Sequence, residues 1–308
     1  MHAMRTDLAM EAFENTESGA IPGVQVSHWD SDGVAVTEVL IRENDAAHQL
    51  GKSKGSYLTL ECPLLRERDP DARLAVAALL AEELARLIPE DDGRAPVLVV
   101  GLGNRSITPD SLGPCVVDRT LVTRHILDAP YAQASMRSVC AIAPGVMGIT
   151  GIESMELVEA LAKSVGPRAI VCVDSLAARD SRRIGSTIQL TDAGIQPGGG
   201  VGNHRRPLTR ESIGLPVISV GMPTVIYAAT LARDAFAWLS LQGGDADPHE
   251  AALEDMERTL LSADIGEMIV TPREIDSIVQ DAAGIIASGV NRALQPALSD
   301  AEIAAMMD

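Results

Sequence analysis

Aromatic residues are nearly absent: two Trp, three Tyr and two Phe in 308 residues. Ala, Val, Leu and Ile must therefore fill the core, which suits helices packed on a sheet better than an aromatic-rich β-sandwich. Cysteine is sparse and irregular. Cys62, Cys115, Cys140 and Cys172 make no C-x-x-C pair and three stand in apolar runs, so free thiols in a reducing compartment fit better than disulfides or zinc. Positive charge is short too, with 25 Lys+Arg against 43 Asp+Glu and a formal net charge of −18. Such a surface repels phosphate backbones, which argues against direct nucleic-acid binding, and it attracts basic proteins. No apolar run is long enough to span a bilayer, and the start, Met1–Asp7, has no apolar stretch of a signal peptide.

What is present is a 46% hydrophobic chain with room for a large core, read here as one domain. Val24–His28 and Val34–Ile41 flank Asp30-Ser31-Asp32-Gly33, a hairpin signal, and Tyr57–Glu61 follows as a third strand. Helical spacing runs from Asp71 to Leu87. Fully apolar strands are expected at Val97–Val100, Val139–Ala143 and Ala169–Val173, the last stopping at Asp174. Further strands are expected at Ser186–Leu190, Pro216–Val220 and Met268–Val270. Helices are expected after Pro109, at Glu153–Val165, Val225–Leu241, Pro272–Leu294 and, capped by Ser299, Ser299–Met307. Alternating strands and helices predict an α/β fold, a three-layer doubly wound sheet, with the early hairpin as an added N-terminal β layer.

Ligands of such sheets bind beyond the carboxyl ends of the strands. Two ends draw attention: Gly101-Leu102-Gly103-Asn104-Arg105-Ser106-Ile107-Thr108-Pro109-Asp110, and Val173-Asp174-Ser175-Leu176. If the strands are neighbours, Asp110 and Asp174 project into one crevice. Two carboxylates held close cannot both ionise, so one takes a proton from water while the other donates one. The alternative is that Asp110 caps a helix and Asp174 binds loop amides. The glycine loop lacks a third glycine, since Ser106 stands there, and is no Walker sequence, which disfavours a nicotinamide dehydrogenase. Gly51-Lys52-Ser53-Lys54-Gly55 fits the nucleophile-elbow formula but precedes a strand, so a turn is the better reading. No H-E-x-x-H occurs. His204 lies in a glycine-rich stretch, as a substrate contact or an exposed loop residue.

Taken together, Gly51–Pro63 (GKSKGSYLTLECP), Gly101–Pro114 (GLGNRSITPDSLGP), Ala143–Glu153 (APGVMGITGIE), Cys172–Arg179 (CVDSLAAR) and Gly200–Arg205 (GVGNHR) resemble the germination protease family in content and order. The resemblance implies an atypical aspartic endopeptidase that degrades small acid-soluble spore proteins, with Asp110 and Asp174 as catalytic residues. It implies support or substrate contacts at Gly103, Asn104, Thr108, Thr150, Glu153 and His204. It further implies a fold similar to hydrogenase maturation peptidases, no metal or other cofactor, a homotetramer, and a cytoplasmic place in the spore core. Members are self-processing zymogens, so Thr6-Asp7 before Leu8-Ala9-Met10-Glu11 is read as the cleavage site. Residues 1–7 are then a propeptide, short for the family, and 8–308 the catalytic domain. The chain departs from the family at Tyr227, where an acidic residue is usual, and at Cys62, where alanine is common. Two rival readings are a metal-sensing maturation peptidase of the same fold and an inactive interaction protein.

Overall fold

A computed structural model describes residues 6–16, 21–90, 95–127, 136–195, 206–242, 259 and 268–307. Its strands form one nine-stranded sheet in the order β1-β2-β3-β7-β8-β6-β4-β5, with β9 pairing to β8. The strands are β1 (Val24–Ser31), β2 (Val34–Ile41), β3 (Gly55–Glu61), β4 (Val97–Gly101), β5 (Val139–Ile142), β6 (Ala169–Ala178), β7 (Thr187–Thr191), β8 (Val217–Tyr227) and β9 (Ile269–Val270). β8, β6, β4 and β5 run parallel. From β8 through β7, β3 and β2 to β1 each pairing is antiparallel. The hairpin therefore lengthens the sheet at one edge and does not form a separate layer.

Helices cover both faces. On one face α3 (Pro70–Leu87), α4 (Leu112–Val117) and α9 (Ile275–Leu294) pack on Val97, Val99, Val171 and Val173. On the other, α6 (Ser154–Val165) sets Met155 and Val158 against Leu98, Val100, Ile170 and Cys172. Successive residues of a strand point to opposite faces, so β4 and β6 need apolar residues at every position and have them. A third cluster joins α1 (Ala9–Glu14) and α2 (Asn44–Leu50) to the hairpin and to Leu176 and Ala178 of β6. The short helices α5 (Met147–Thr150) and α7 (Arg210–Ile213), with α8 (Ala228–Gln242) and α10 (Asp300–Met307), complete the order. Ser299 caps α10, its Oγ accepting from Glu302 N at 3.3 Å while Glu302 Oε2 accepts from Ser299 N at 2.8 Å.

Two strands outrun the sequence expectation. β6 continues through Asp174–Ala178, and β8 takes Val225-Ile226-Tyr227, residues expected to be helical. The cause is mutual pairing, since Leu176, Ala177 and Ala178 stand opposite Pro223, Val225 and Ile226. Tertiary partners override weak local preference here. Helices α1, α2 and α7 carried too few periodic positions to be foreseen.

α4 packs unusually close to the strand ends. A Cβ at Gly113 would stand 2.3 Å from Leu102 O and 2.5 Å from Val173 O. Gly113→Ala is expected to cost about 1–3 kcal/mol through overpacking. Gly284→Ala, on an exposed turn of α9 where a Cβ meets nothing within 4 Å, should stabilise by up to about 1 kcal/mol. Urea denaturation of both variants checks the contrast, and equal effects would contradict the packing argument.

Candidate active site

From β4 the chain turns outward to β5, whereas from β6 it passes to β7 and β8 on the opposite side. The boundary between β4 and β6 is therefore the topological switch point, where an open α/β sheet has its crevice. Gly101, the last residue of β4, lies opposite Val173, so Asp174 is the first residue of β6 beyond its neighbour.

The loop leaving β4 folds back on itself. Thr108–Asp110 make a single 3-10 turn opened by Pro109, and Asp110 N donates to Ile107 O at 2.8 Å. Asn104 N donates to Asp110 O at 2.9 Å and to its carboxylate Oδ2 at 2.8 Å. Gly103 permits this approach: its φ is +110° and a Cβ there would stand 2.0 Å from Asp110 O. No side chain fits, so the glycine fixes where Asp110 sits. Asn104 also braces the loop, its Oδ1 accepting from Ser106 N at 3.0 Å.

Asp174 is buried, 8% exposed, and its Oδ1 accepts from Ser175 N at 2.9 Å. Both aspartates thus receive an amide, but not in the way the non-catalytic alternative expected: Asp110 accepts from the loop before it and does not cap α4, whose cap position is Ser111, and Asp174 accepts from its own strand neighbour. Such a bond also orients a carboxylate, which has acceptor capacity to spare.

A residue the sequence reading passed over ties the two ends together. Pro223 stands inside β8, where it cannot donate to the ladder. The register with β6 shifts there, with Pro223 opposite Leu176 and Val225 opposite Ala177, leaving Thr224 as the extra residue. Its buried hydroxyl donates to Pro109 O at 2.7 Å, one residue from Asp110. A proline within a strand pattern was the available signal.

The other expected site residues are spread more widely. The Thr150 side chain is exposed after β5 and its Oγ1 accepts from Ile152 N at 3.1 Å, shaping the turn into α6. Glu153 occupies the position before α6, and its Oε1 is buried without a hydrogen-bond partner among the described residues. Thr108 lines a separate open groove of about 440 Å³ with Arg105, Ser111, Cys115 and Arg119, and Asp110 is not among its walls. His204 and the rest of 198–205 lie outside the described residues. Tyr227 is buried at the end of β8 with Ala177 and Val225. Cys62 is buried as well, and all four cysteines are free thiols. Among the described residues no three or more His, Cys, Asp or Glu side chains gather as a metal-binding group, and no helix is long and apolar enough to cross a membrane.

The N-terminal segment reaches the same strand. Asp7 N donates to Ala177 O at 2.9 Å, and Asp7 Oδ2 accepts from Ala177 N at 2.7 Å. Gln189 of β7 brackets Leu8, its Nε2 donating to Asp7 O at 3.1 Å and its Oε1 accepting from Ala9 N at 2.8 Å. Lys52 Nζ donates to Thr6 O at 2.7 Å. Leu8 is fully buried. Glu11, also buried, accepts from Arg179 N at 2.7 Å and Asp180 N at 2.9 Å, and pairs with Arg183 at 2.9 Å. Arg183 serves Glu14 and Glu61 as well. Burial works against its charge, but the hydrogen bonds it donates to Glu14 and Glu11 carry its pKa above the usual arginine value.

With this geometry in place, comparison with known proteins is direct. A family model described as germination protease matches residues 2–265. A germination protease of Caldanaerobacter subterraneus subsp. tengcongensis is 40% identical, with 97% of each chain covered. One from Clostridium acetobutylicum is 40% identical, with 98% of each covered. Among solved structures, a NiFe hydrogenase maturation protease, HycI from Thermococcus kodakarensis, aligns with 68% of this chain and 98% of its own at 15% identity and a TM-score of 0.33. By family match and by identity along nearly its whole length, this chain belongs to the germination protease family.

Proposed function

We propose that this chain is an endopeptidase in which Asp110 and Asp174 act as a coupled general acid and base on small acid-soluble spore proteins, within the spore core. The observation that supports the reading is that β4, whose outgoing loop carries Asp110, and β6, which passes beyond β4 at Asp174, are neighbouring parallel strands at the switch point, and that each carboxylate accepts from an amide. In this mechanism the ionised carboxylate takes a proton from water as its oxygen bonds to the scissile carbonyl carbon. The protonated one donates to the carbonyl oxygen. As the C–N bond breaks, the carboxyl that took the water proton passes it to the leaving nitrogen and the tetrahedral intermediate's hydroxyl returns a proton to the other carboxylate, giving an acid and an amine and restoring the pair. Gly103, Asn104 and Thr224 act as positioning residues through the Asp110 loop. The self-assembly that the family resemblance implies, a homotetramer, belongs to the same reading, as does the absence of a cofactor.

Residues 1–7 are proposed as a propeptide, released by self-cleavage between Asp7 and Leu8. As folded, the carbonyl of that peptide group accepts from Gln189 Nε2, and Asp7 pairs with Ala177, three residues along β6 from Asp174. The segment therefore has to leave its seat before a pair of aspartates, its own or another copy's, reaches the bond. N-terminal sequencing after mild acidification is expected to show a new chain beginning at Leu8. A fragment starting elsewhere, or full activity on substrate without any cleavage, would remove Asp7-Leu8 as the processing site.

Asp110→Asn and Asp174→Asn each keep volume and much hydrogen bonding but exchange no proton. Each is expected to lower peptide release from a small acid-soluble spore protein by about 10³-fold or more. The double variant should be hardly worse than either, because residues acting as a unit are non-additive. Thermal melting should stay level or rise, since neutralising one member relieves like-charge repulsion. Near-normal turnover by a folded Asp174→Asn chain would end the case for Asp174.

A further inference from the structure

β5 ends at Ile142 beside β4, and the loop that follows it, 143–153, lies at the same carboxyl edge of the sheet as the Asp110 loop. That loop is closed on itself. Ser154 Oγ donates to Gly145 O at 2.8 Å, Gly151 N donates to Met147 O at 2.8 Å, and Thr150 Oγ1 accepts from Ile152 N at 3.1 Å. Polar groups are spent inside the loop while apolar side chains stand outside it. Met147, Ile149 and Ile152 are exposed, Ile149 to 65%. Ile107, in the neighbouring loop that leads to Asp110, is exposed as well. Large apolar side chains gathered on one rim mark a surface that another molecule covers.

Glu153 ends the same loop. It is half-buried, and its Oε1 is buried with no hydrogen-bond partner among the described residues. Capping does not account for it: Glu153 stands at the cap position of α6 yet makes no side-chain cap bond. A buried carboxylate oxygen without a donor is costly, and a cation brought to the group offsets that cost.

We propose that Glu153 and the rim of Met147, Ile149 and Ile152 form a subsite for a cationic side chain, lysine or arginine, of an extended polypeptide. The inference rests on the protease reading for the identity of that polypeptide, which is the substrate chain. The aliphatic stem of the cationic residue lies along the rim, and its charged head meets the carboxylate. A formal net charge of −18 draws the same class of segment from a distance.

The fold also sets a spacing. β4 lies between β6 and β5. Neighbouring strands are about 4.8 Å apart, so the end of β5 stands about 10 Å across the sheet from β6, which carries Asp174. An extended chain advances about 3.3 Å per residue. The cationic residue is therefore expected roughly three residues from the bond held at Asp174.

The test uses the full chain carrying Asp174→Asn, so that a bound peptide stays whole. The probe is fluorescein-labelled Ala-Ala-Arg-Ala-Ala-Leu-amide, read by fluorescence anisotropy, with Met or Glu in place of Arg as comparisons. The Arg peptide is expected to bind at least tenfold tighter than the Met peptide. Adding Glu153→Gln should erase that preference, and adding Glu153→Lys should turn it toward the Glu peptide. Glu156→Gln, at an exposed position one turn along α6, should leave it intact. Ile149→Ser should weaken the Arg and Met peptides alike, since the rim meets the stem and not the charge. Equal binding of the Arg and Met peptides, an Arg preference that survives Glu153→Gln, or no binding by a chain that melts normally overturns the proposal. Should Glu153→Lys fail to fold, Glu153→Gln keeps the side-chain volume and decides the question by itself. Binding is measured without turnover, so this subsite can fail while the protease reading stands, and the reverse.

Discussion

Buried peptide groups must find partners, and β6 outlasts β4 with its own still to satisfy. That mismatch in length shapes the surroundings of the candidate site. Beyond Val173 the strand keeps β8 on one side, with a bulge at Thr224, and acquires Asp7 on the other. Asp174 falls in the step between, on a strand buried from both faces, which leaves its carboxylate little freedom. The return loop from β4 closes over the same step and brings Asp110 with it, fixed by Gly103, Asn104 and the Thr224–Pro109 bond.

The same step explains how charge is handled in an acidic protein. Asp7, Glu11, Lys52 and Arg183 sit where desolvation is costly, and each is matched by an opposite charge or by a backbone donor or acceptor. Removing a partner from such a set leaves an uncompensated charge, so the N-terminal segment is held by more than apolar contact. Leu8, Ala9 and Met10 add burial against Leu176 and Ala178.

Much of this was legible in the sequence. The apolar runs at Val97–Val100 and Ala169–Val173 gave the central strands, because a strand buried on both faces has no polar positions. The loop from Gly101 to Asp110 and the Val-Asp-Ser segment were read as two strand ends, and the strands did prove to be neighbours, although β6 runs on past Asp174 and Asp110 lies beyond β4 on the 3-10 turn. What escaped was whatever depends on partners distant in sequence. The continuation of β6 through Ser175-Leu176-Ala177-Ala178 has no strand signal of its own and exists because β8 lies beside it. Gln189 and Lys52 read as ordinary polar residues until Asp7 and Thr6 are placed against them. Thr224 gained its role through a register shift, which only the neighbouring proline foreshadowed.

The central claim is that Asp110 and Asp174 share their protons. Carbonyl-carbon NMR of the aspartate side chains, followed across pH in the full chain and in Asp110→Asn, measures this without relying on turnover. The expected result is one carboxyl that stays protonated well above the ordinary aspartate range and returns toward that range when its partner is replaced by Asn. Two carboxyls that titrate independently in the ordinary range, unmoved by loss of the partner, would contradict the account.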